Sequence, residues 1–375
     1  MKILFVATVQ SHICQFHLPI MGMLKEKGYE VHVAARDNLE EKNGLQMKNA
    51  DKVFNIPFER SPFNSKNIKA YKELKRIMKE ENYDIVHCNT PVGGILTRLA
   101  GRKLRKNGLR VIYTAHGFHF YKGAPKKNWI IYYPIEKFMS RYTDDLITIT
   151  EEDYNLAKTK GFKGNIHHVH GVGVNSSKFV KLSEEDRQEL RKSKGYSDEF
   201  IILCTGELNK NKNQATLIRA MAEIVKKHDN VRLLLAGNGP EHDNLVGLIN
   251  ELDLGMYVEL LGYRTDLEDY VNICDLVVSA SYREGLPLNI MEAMICGKPV
   301  VASDNRGHRE LIKDGQNGIL VDLNKDSGFT DSISLLIENQ EVRDRFSVNG
   351  MRMVEPFKVE NVKGELVRIY DGEDI

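Results

Sequence analysis

Little in this chain points to a special environment. Its 375 residues carry a formal net charge of +1, so no global field favours nucleic acid. The five cysteines, Cys14, Cys88, Cys204, Cys274 and Cys296, are widely spaced and lie mostly in apolar runs. Without a C-x-x-C, neither a zinc cluster nor a redox pair is indicated, and the odd number fits reduced, buried thiols in a cytoplasm. No apolar run is long enough to span a bilayer. Residues 1–8 hold one lysine, a short apolar run and no small-residue cleavage site, so they read as a first strand rather than a signal peptide. No D-x-D occurs, the acidic pair that carries Mg²⁺ or Mn²⁺ with a diphosphate. No internal repeat is visible.

What is present is ordinary globular chemistry, 42% hydrophobic and 28% charged, in a chain long enough for two domains. Apolar strands alternate with amphipathic helices. In the first half, strands are expected at 3–9, 30–35, 53–57, 84–89, 110–116, 146–150 and 166–174. Helices are expected at 16–27 (closed by Gly28), 67–81, 93–106, 128–142 (helical or broken at Pro134) and 151–160. After Gly171-Val172-Gly173 a charged segment with a helix at 183–194 intervenes. The alternation then restarts, with strands at 200–205, 231–236, 258–261, 276–280, 299–303 and 318–321. Helices lie between them and two follow. Such alternation means βαβ units and parallel sheets covered on both faces. The expectation is an α/β chain of two doubly wound, Rossmann-like domains facing a central cleft. They cover residues 1–178 and 179–355, with a final helical segment at 356–375. Ligands of such sheets bind at the carboxyl ends of the strands.

Candidate residues cluster at those ends. Glu284-Gly285-Leu286-Pro287-Leu288-Asn289-Ile290-Met291-Glu292 follows the strand at 276–280 and opens a helix stopped by Gly297. A carboxylate flanks each side of this turn, Gly285 allows close backbone approach, and Asn289 can cap a helix whose free N–H groups suit an anion. Two acids beside a phosphate site suit a ligand with both sugar and phosphate. A capped helix with two surface glutamates is the plain alternative. Strand 200–205 ends in Gly206-Glu207-Leu208-Asn209-Lys210-Asn211-Lys212-Asn213, a glycine-led loop with two lysines before a helix. It suits phosphate, or is a solvated polar loop. Gly237-Asn238-Gly239-Pro240 falls short of G-x-G-x-x-G and weighs mainly as turn chemistry. Arg264, after the next strand, can stack on a base or stand exposed.

In the first domain His116, followed by Gly117-Phe118-His119, ends the strand at 110–116 and can donate to a substrate oxygen, or serve structure. The turn Gln10-Ser11-His12 lies at the same edge. His167-His168-Val169-His170 resembles a metal tract, but only His168 and His170 share a strand face and no further ligand accompanies them. Arg98, Arg102, Lys103, Arg105, Lys106 and Arg110 crowd one segment without an acid. Lys126 and Lys127 precede Trp129-Ile130-Ile131-Tyr132-Tyr133. Basic and aromatic residues together suit an anionic membrane surface, although each segment also reads as a solvated helix with core aromatics.

Taken together, the chain resembles bacterial glycosyltransferases of family four, a retaining group with the two-domain GT-B fold. The resemblance covers essentially the whole chain. It rests on the Glu284…Glu292 pair, the Gly206…Lys212 loop, Gly237-Asn238-Gly239-Pro240 and His116-Gly117. The run Gly117 to Pro125 resembles a subgroup of exopolysaccharide and capsule assembly. The resemblance implies that Glu284 binds donor-sugar hydroxyls and Glu292 the nucleotide ribose. Amides around Gly285, Leu286, Leu288 and Asn289 would meet sugar and diphosphate, and Gly206, Asn209 and Arg264 would line the donor site. Lys212 would neutralise the diphosphate, and His116 would contact the transferred sugar. Gln10, Ser11, His12 and His119 would line the acceptor side. One departure stands out: most relatives carry arginine where this chain has Glu207, and an acid beside a diphosphate is repulsive. Either Glu207 turns away and Lys210 or Lys212 carries the load, or the phosphates are held differently.

The implied reaction moves a hexose or N-acetylhexosamine from a UDP-sugar to a polyprenyl-diphosphate-linked saccharide. It needs no cofactor or metal, and takes place in the cytoplasm or at the inner face of the membrane. Front-face attack, with the leaving phosphate taking the acceptor's proton, needs no dedicated base. Domain closure would bring donor and acceptor together. A same-fold UDP-sugar epimerase and a non-catalytic nucleotide-sugar-binding partner, the latter motivated by Glu207, are the alternatives.

Overall fold

Mostly apolar runs of three to eight residues make the strands, and in both halves of the chain they pair in parallel. The computed structural model describes residues 1–40 and 44–373. The chain divides into two units, Met1–Gly173 with Val359–Ile375, and Val174–Lys358. The division thus falls a few residues from the expected 178/179 and 355/356. The reason is local. Gly173 has φ +79°, and a β-carbon on it would lie 2.5 Å from Val359 Cα. The outgoing and returning chains pass backbone to backbone there, which only glycine permits.

The first unit carries a seven-stranded parallel sheet of β1 (Lys2–Val9), β2 (Glu30–Arg36), β3 (Lys52–Asn55), β4 (Ile85–Asn89), β5 (Arg110–Ala115), β6 (Asp145–Thr148) and β7 (Asn165–His168). Its order is β3-β2-β1-β4-β5-β6-β7. Successive residues of β1 serve opposite faces, as period two requires: Leu4 and Val6 enter one core, Ile3, Phe5 and Ala7 the other. The last helix, Val359–Asp371, closes the second of these cores with Val362, Leu366, Ile369 and Tyr370. Tyr370 Oη lies 2.6 Å from His87 Nδ1, and Arg110 donates to the carbonyls of Ile369 and Tyr370.

Several expectations in this unit are sharpened or corrected, among them the strand expected at 166–174, which ends at His168. The helix expected at 16–27 is two helices, Gln10–Phe16 and Leu18–Glu26, broken at His17. Pro19 in the first turn of the second helix has no N–H to continue the first. Gln10-Ser11-His12 is therefore the first turn of a helix rather than an open turn. Of the two readings left open for 128–142 the helical one holds: Lys126–Met139 runs unbroken through Pro134 before a 3₁₀ turn. The basic segment is not an open patch either. Arg98 is 1% exposed, pairs with Glu136 at 2.9 Å and lies 3.9 Å over the Tyr113 ring. Arg105 is bound to Asp144 and Arg110 to Asp145. Arg102, Lys103 and Lys106 remain exposed.

The second unit carries β8 (Phe200–Thr205), β9 (Val231–Ala236), β10 (Val258–Gly262), β11 (Leu276–Ser279), β12 (Val300–Ser303) and β13 (Ile319–Val321). The parallel order is β10-β9-β8-β11-β12-β13. Here too β8 splits its residues, Ile202 and Cys204 to one core, Ile201 and Leu203 to the other. The strand order reverses between β8 and β11. Where it reverses, the following loops diverge and leave a crevice at the carboxyl ends. All five cysteines are free and buried. Among the described residues, no helix is long and apolar enough to cross a membrane.

Candidate active site

In the second unit the reversal point is occupied by the two stretches that the sequence singles out. The loop after β8 begins at Gly206, φ +143°, and a β-carbon there would press at 3.2 Å on Lys212 Cε. Glycine thus makes room for the Lys212 side chain to lie over the end of the strand. Asn209 Oδ1 accepts from the Lys212 backbone N–H at 2.9 Å and sets the turn. Asn213 sits in the left-handed region, φ 54°, and starts the helix Gln214–Ile224. The loop after β11 is laced to this one. Tyr282 N–H donates to Asn211 O at 2.8 Å, and Asn211 Nδ2 donates to Arg283 O at 3.0 Å. The result is an ion pair across the crevice, Lys212 Nζ to Glu284 Oε1 at 2.7 Å, with both side chains mostly shielded.

Glu207 is exposed and accepts from Asn209 Nδ2 at 2.9 Å. Its carboxylate is engaged with Asn209, while Lys212 points inward to Glu284 and Lys210 is exposed. The Gly237–Gly239 turn has a sharper role than turn chemistry. A β-carbon at Gly237, φ +152°, would lie 2.0 Å from Gly206 O, and one at Gly239 would lie 2.3 Å from Leu208 O. The turns after β8 and β9 are zipped together by Gly206 N–H to Ala236 O and Leu208 N–H to Asn238 O.

Asn289 does not cap its helix. The helix is Leu288–Ile295 with Pro287 at the cap position, and Asn289 Nδ2 donates to Thr205 O at 3.3 Å. It ties the helix start to the end of β8, since proline at the cap already sets the entry angle and asparagine falls two residues past it. Gly285, Leu286 and Leu288 line the same partly open turn. Arg264 is partly exposed, makes a two-point pair with Asp266 at 2.8 and 2.6 Å and lies 5.0 Å from the Tyr270 ring.

Glu292 is half-buried on the same helix, and burial and the charges of Lys178 and Glu268, not a hydrogen bond, act on its carboxylate. Burial, reinforced by Glu268 and opposed by Lys178, pushes its pKa from 4.5 up to about 7. A carboxyl so raised costs stability as pH rises from about 4.5 to 7, because the unfolded chain ionises first. Glu292→Gln is therefore expected to raise Tm at pH 8 and to change it little at pH 4.5, read by thermal melts at both values. An equal shift at the two pH values would contradict the assigned burial.

Sequence reasoning missed the segment beneath Glu284. A helix, Arg306–Leu311, follows β12, and a β-carbon at Gly307 would lie 2.5 Å from Gly285 O and 2.9 Å from Glu284 Cβ. His308 Nδ1 lies 2.6 Å from Ser303 O, and its Nε2 is buried without a partner among the described residues. Burial lowers its pKa to about 4, and the charges of Glu284 and Lys212 both act on it. The available signal was Asn305, whose side chain caps this helix through His308 N–H.

In the first unit His116 follows β5, and its Nε2 lies 2.9 Å from Asn89 Oδ1. Burial lowers its pKa to about 4, so it is a neutral imidazole near pH 7. His12 packs edge-on against it with ring centres 4.8 Å apart, and His17 lies 5.7 Å away. Gln10 and Ser11 are buried, and Ser11 is bonded to Asn38. His119 instead stacks on Tyr132 at 4.6 Å. His17, His87 and Asn89 were not foreseen. The alternation of His87 and Asn89 in β4 was the legible signal, since both face one side. In the 167–170 tract, His167 is bonded to Asp145 and His170 to Glu365.

Known proteins share this architecture. Residues 186–353 match the family described as Glycosyl transferases group 1, and residues 2–150 match Glycosyl transferase 4-like. EpsD of Bacillus subtilis (strain 168), a glycosyltransferase by assignment, is 42% identical over 99% of this chain and 96% of its own. The Escherichia coli UDP-Gal:alpha-D-GlcNAc-diphosphoundecaprenol alpha-1,3-galactosyltransferase is 28% identical over 80% of this chain and 79% of its own. The crystal structure of Anabaena Alr3699/HepE in complex with UDP and glucose superposes with a TM-score of 0.78. It is 22% identical and covers 99% of this chain and 100% of that one. Two parallel-sheet α/β units, the crevice of the second and these matches lead to one conclusion: the chain belongs to the group 1, type-4-like glycosyltransferases of the GT-B fold.

Proposed function

We propose that this chain transfers a hexosyl or N-acetylhexosaminyl group, with retention, from a UDP-sugar to a polyprenyl-diphosphate-linked saccharide during surface polysaccharide synthesis. The observation that carries the reading is the Lys212–Glu284 pair at the reversal point of the second sheet. It offers a cation for a diphosphate and a carboxylate for sugar hydroxyls 2.7 Å apart. The donor and acceptor classes are supported by the galactosyltransferase relative, whose name specifies UDP-Gal and a diphosphoundecaprenol acceptor.

In this proposal Glu292 holds the ribose, Glu284 the sugar hydroxyls, and Lys212 with the Gly285–Asn289 amides the diphosphate. The bond from the anomeric carbon to the phosphate oxygen breaks, and the acceptor oxygen bonds to that carbon on the same face. The acceptor proton passes to the departing phosphate oxygen, so UDP leaves. Lys212 stabilises the charge that develops there without a metal. His116, neutral and held by Asn89, serves the transferred sugar. Incubation with UDP-sugars and a lipid diphosphate saccharide, followed by proton NMR of the product, tests this. Released UDP and an unchanged anomeric configuration are expected. An altered free sugar nucleotide would instead identify an epimerase, and inversion would refute retention.

The acceptor class implies a membrane surface, and the helix Lys126–Met139 fits one. Ile130, at 73% exposure, and Ile131, Ile135 and Phe138 face solvent beside Lys126, Lys127 and Lys137. Exposed apolar side chains flanked by cations suit an anionic bilayer. The protein is expected to sediment with vesicles containing phosphatidylglycerol but not with phosphatidylcholine alone. Ile131→Glu with Phe138→Glu should abolish the association, and undiminished sedimentation of that variant would exclude this helix as the contact.

A further inference from the structure

Two histidines behind His116, His12 and His17, join it in an arrangement that the proposed transfer does not require. His12 and His17, from one helix and its last cap, and His116, after β5, each offer a ring nitrogen, and these three atoms all lie within 4.8 Å of one another. His12 Nε2 and His17 Nε2 are buried and have no hydrogen-bond partner among the described residues. His17 is only 4% exposed. A buried ring nitrogen left unpaired is costly, because it has given up water and gained no partner, so two together in one cluster ask for a common ligand. His116 is prepared differently. Its Nε2 lies 2.9 Å from the Asn89 amide oxygen, which only accepts, so the ring proton sits on Nε2 and the lone pair on Nδ1. A histidine whose second nitrogen donates to an oxygen is the usual arrangement of a metal ligand.

We propose that His12, His17 and His116 form a three-histidine site for a borderline divalent ion of the Zn²⁺ or Co²⁺ type. Neutral imidazoles select such ions over Mg²⁺ and Ca²⁺, which prefer oxygen. Burial keeps all three rings neutral, the form that binds metal. Zn–N bonds of about 2.0–2.1 Å place ligand atoms of a tetrahedral site about 3.3 Å apart. Small ring rotations from the present spacing reach that geometry. Three protein ligands leave a fourth position for water or an anionic oxygen. Occupancy takes the Nδ1 lone pair of His116, so the ion should inhibit transfer reversibly. That corollary alone rests on the proposed function.

The test is Co²⁺ titration of the purified full chain, followed by visible absorbance, with Zn²⁺ displacement and metal analysis after dialysis. One ion per chain is expected, displaced by Zn²⁺ and not by Mg²⁺. His12→Gln and His17→Gln should each weaken binding about tenfold or more, as should Asn89→Ala through the His116 ring. His228→Gln, in the other unit, should bind as the parent does. If His17→Gln does not fold, the less buried His12→Gln decides. Absence of a bound ion in the parent, or equal binding by the His12 variant, overturns the proposal. This readout involves no sugar transfer, so its failure is distinct from failure of the glycosyltransferase reading.

Discussion

Replacing Lys212 by alanine is expected to lower kcat by about 10²–10³-fold, the effect of removing one preorganised group from a developing negative charge. The ammonium sits 2.7 Å from Glu284 and is positioned by the Asn209 turn and by the space that Gly206 leaves. It therefore needs little reorganisation when the diphosphate departs. Glu284→Ala should also reduce kcat strongly, because the carboxylate aims Lys212 and, in the proposed reaction, holds the sugar hydroxyls. Since the two groups touch, their losses should not add. The double variant should be about as slow as the slower single one. Additive losses, read from the four kcat values, would mean that the pair does not act as a unit. Glu292→Ala should behave differently, raising the donor KM more than it lowers kcat, because the ribose contact proposed for it would be the same in ground and transition states.

Gly237→Ala should destabilise the second unit by about 3 kcal/mol, from overpacking and left-handed strain together. The new methyl would lie 2.0 Å from Gly206 O, at φ +152°, where an L side chain is strained in any case. For a unit of this size the expected fall in Tm is about 6–12 °C. Because Gly206 begins the Lys212 loop, any molecules that fold should also bind donor poorly. Gly247→Ala provides the contrast. It lies exposed in the helix His242–Glu251 with nothing within 4 Å of a new β-carbon. It should leave Tm unchanged or raise it slightly. Similar melting of the two variants would remove the zipped turns from the account.

The physics behind these residues also explains what could be read from sequence. Strands β8 and β9 were legible to the residue because both faces of a parallel sheet are covered, and continuous apolar runs such as Ile201–Leu203 have no other place. Glu284, Lys212 and their loops were legible as strand-end chemistry and by resemblance. The helix Arg306–Leu311 was not: it has six residues and little apolar periodicity, so only its Asn305 cap marks it. His17 is defined by a break between two helices, and its importance appears only when the chain returns at His116. Arg98 looked like a surface cation because sequence spacing cannot show Glu136, 38 positions away, meeting it inside the core.

The claim on which the rest depends is that the crevice between β8 and β11 holds a uridine nucleotide-sugar. A ligand that binds only the folded chain raises its melting temperature. The most direct test is a thermal melt of the parent and of Glu292→Ala with UDP-, GDP- and ADP-sugars at equal concentration. Stabilisation of the parent by UDP-sugars, and its loss in the Glu292 variant, is the result expected. Stabilisation by GDP- or ADP-sugars alone, or a UDP-sugar shift that survives loss of Glu292, would contradict it.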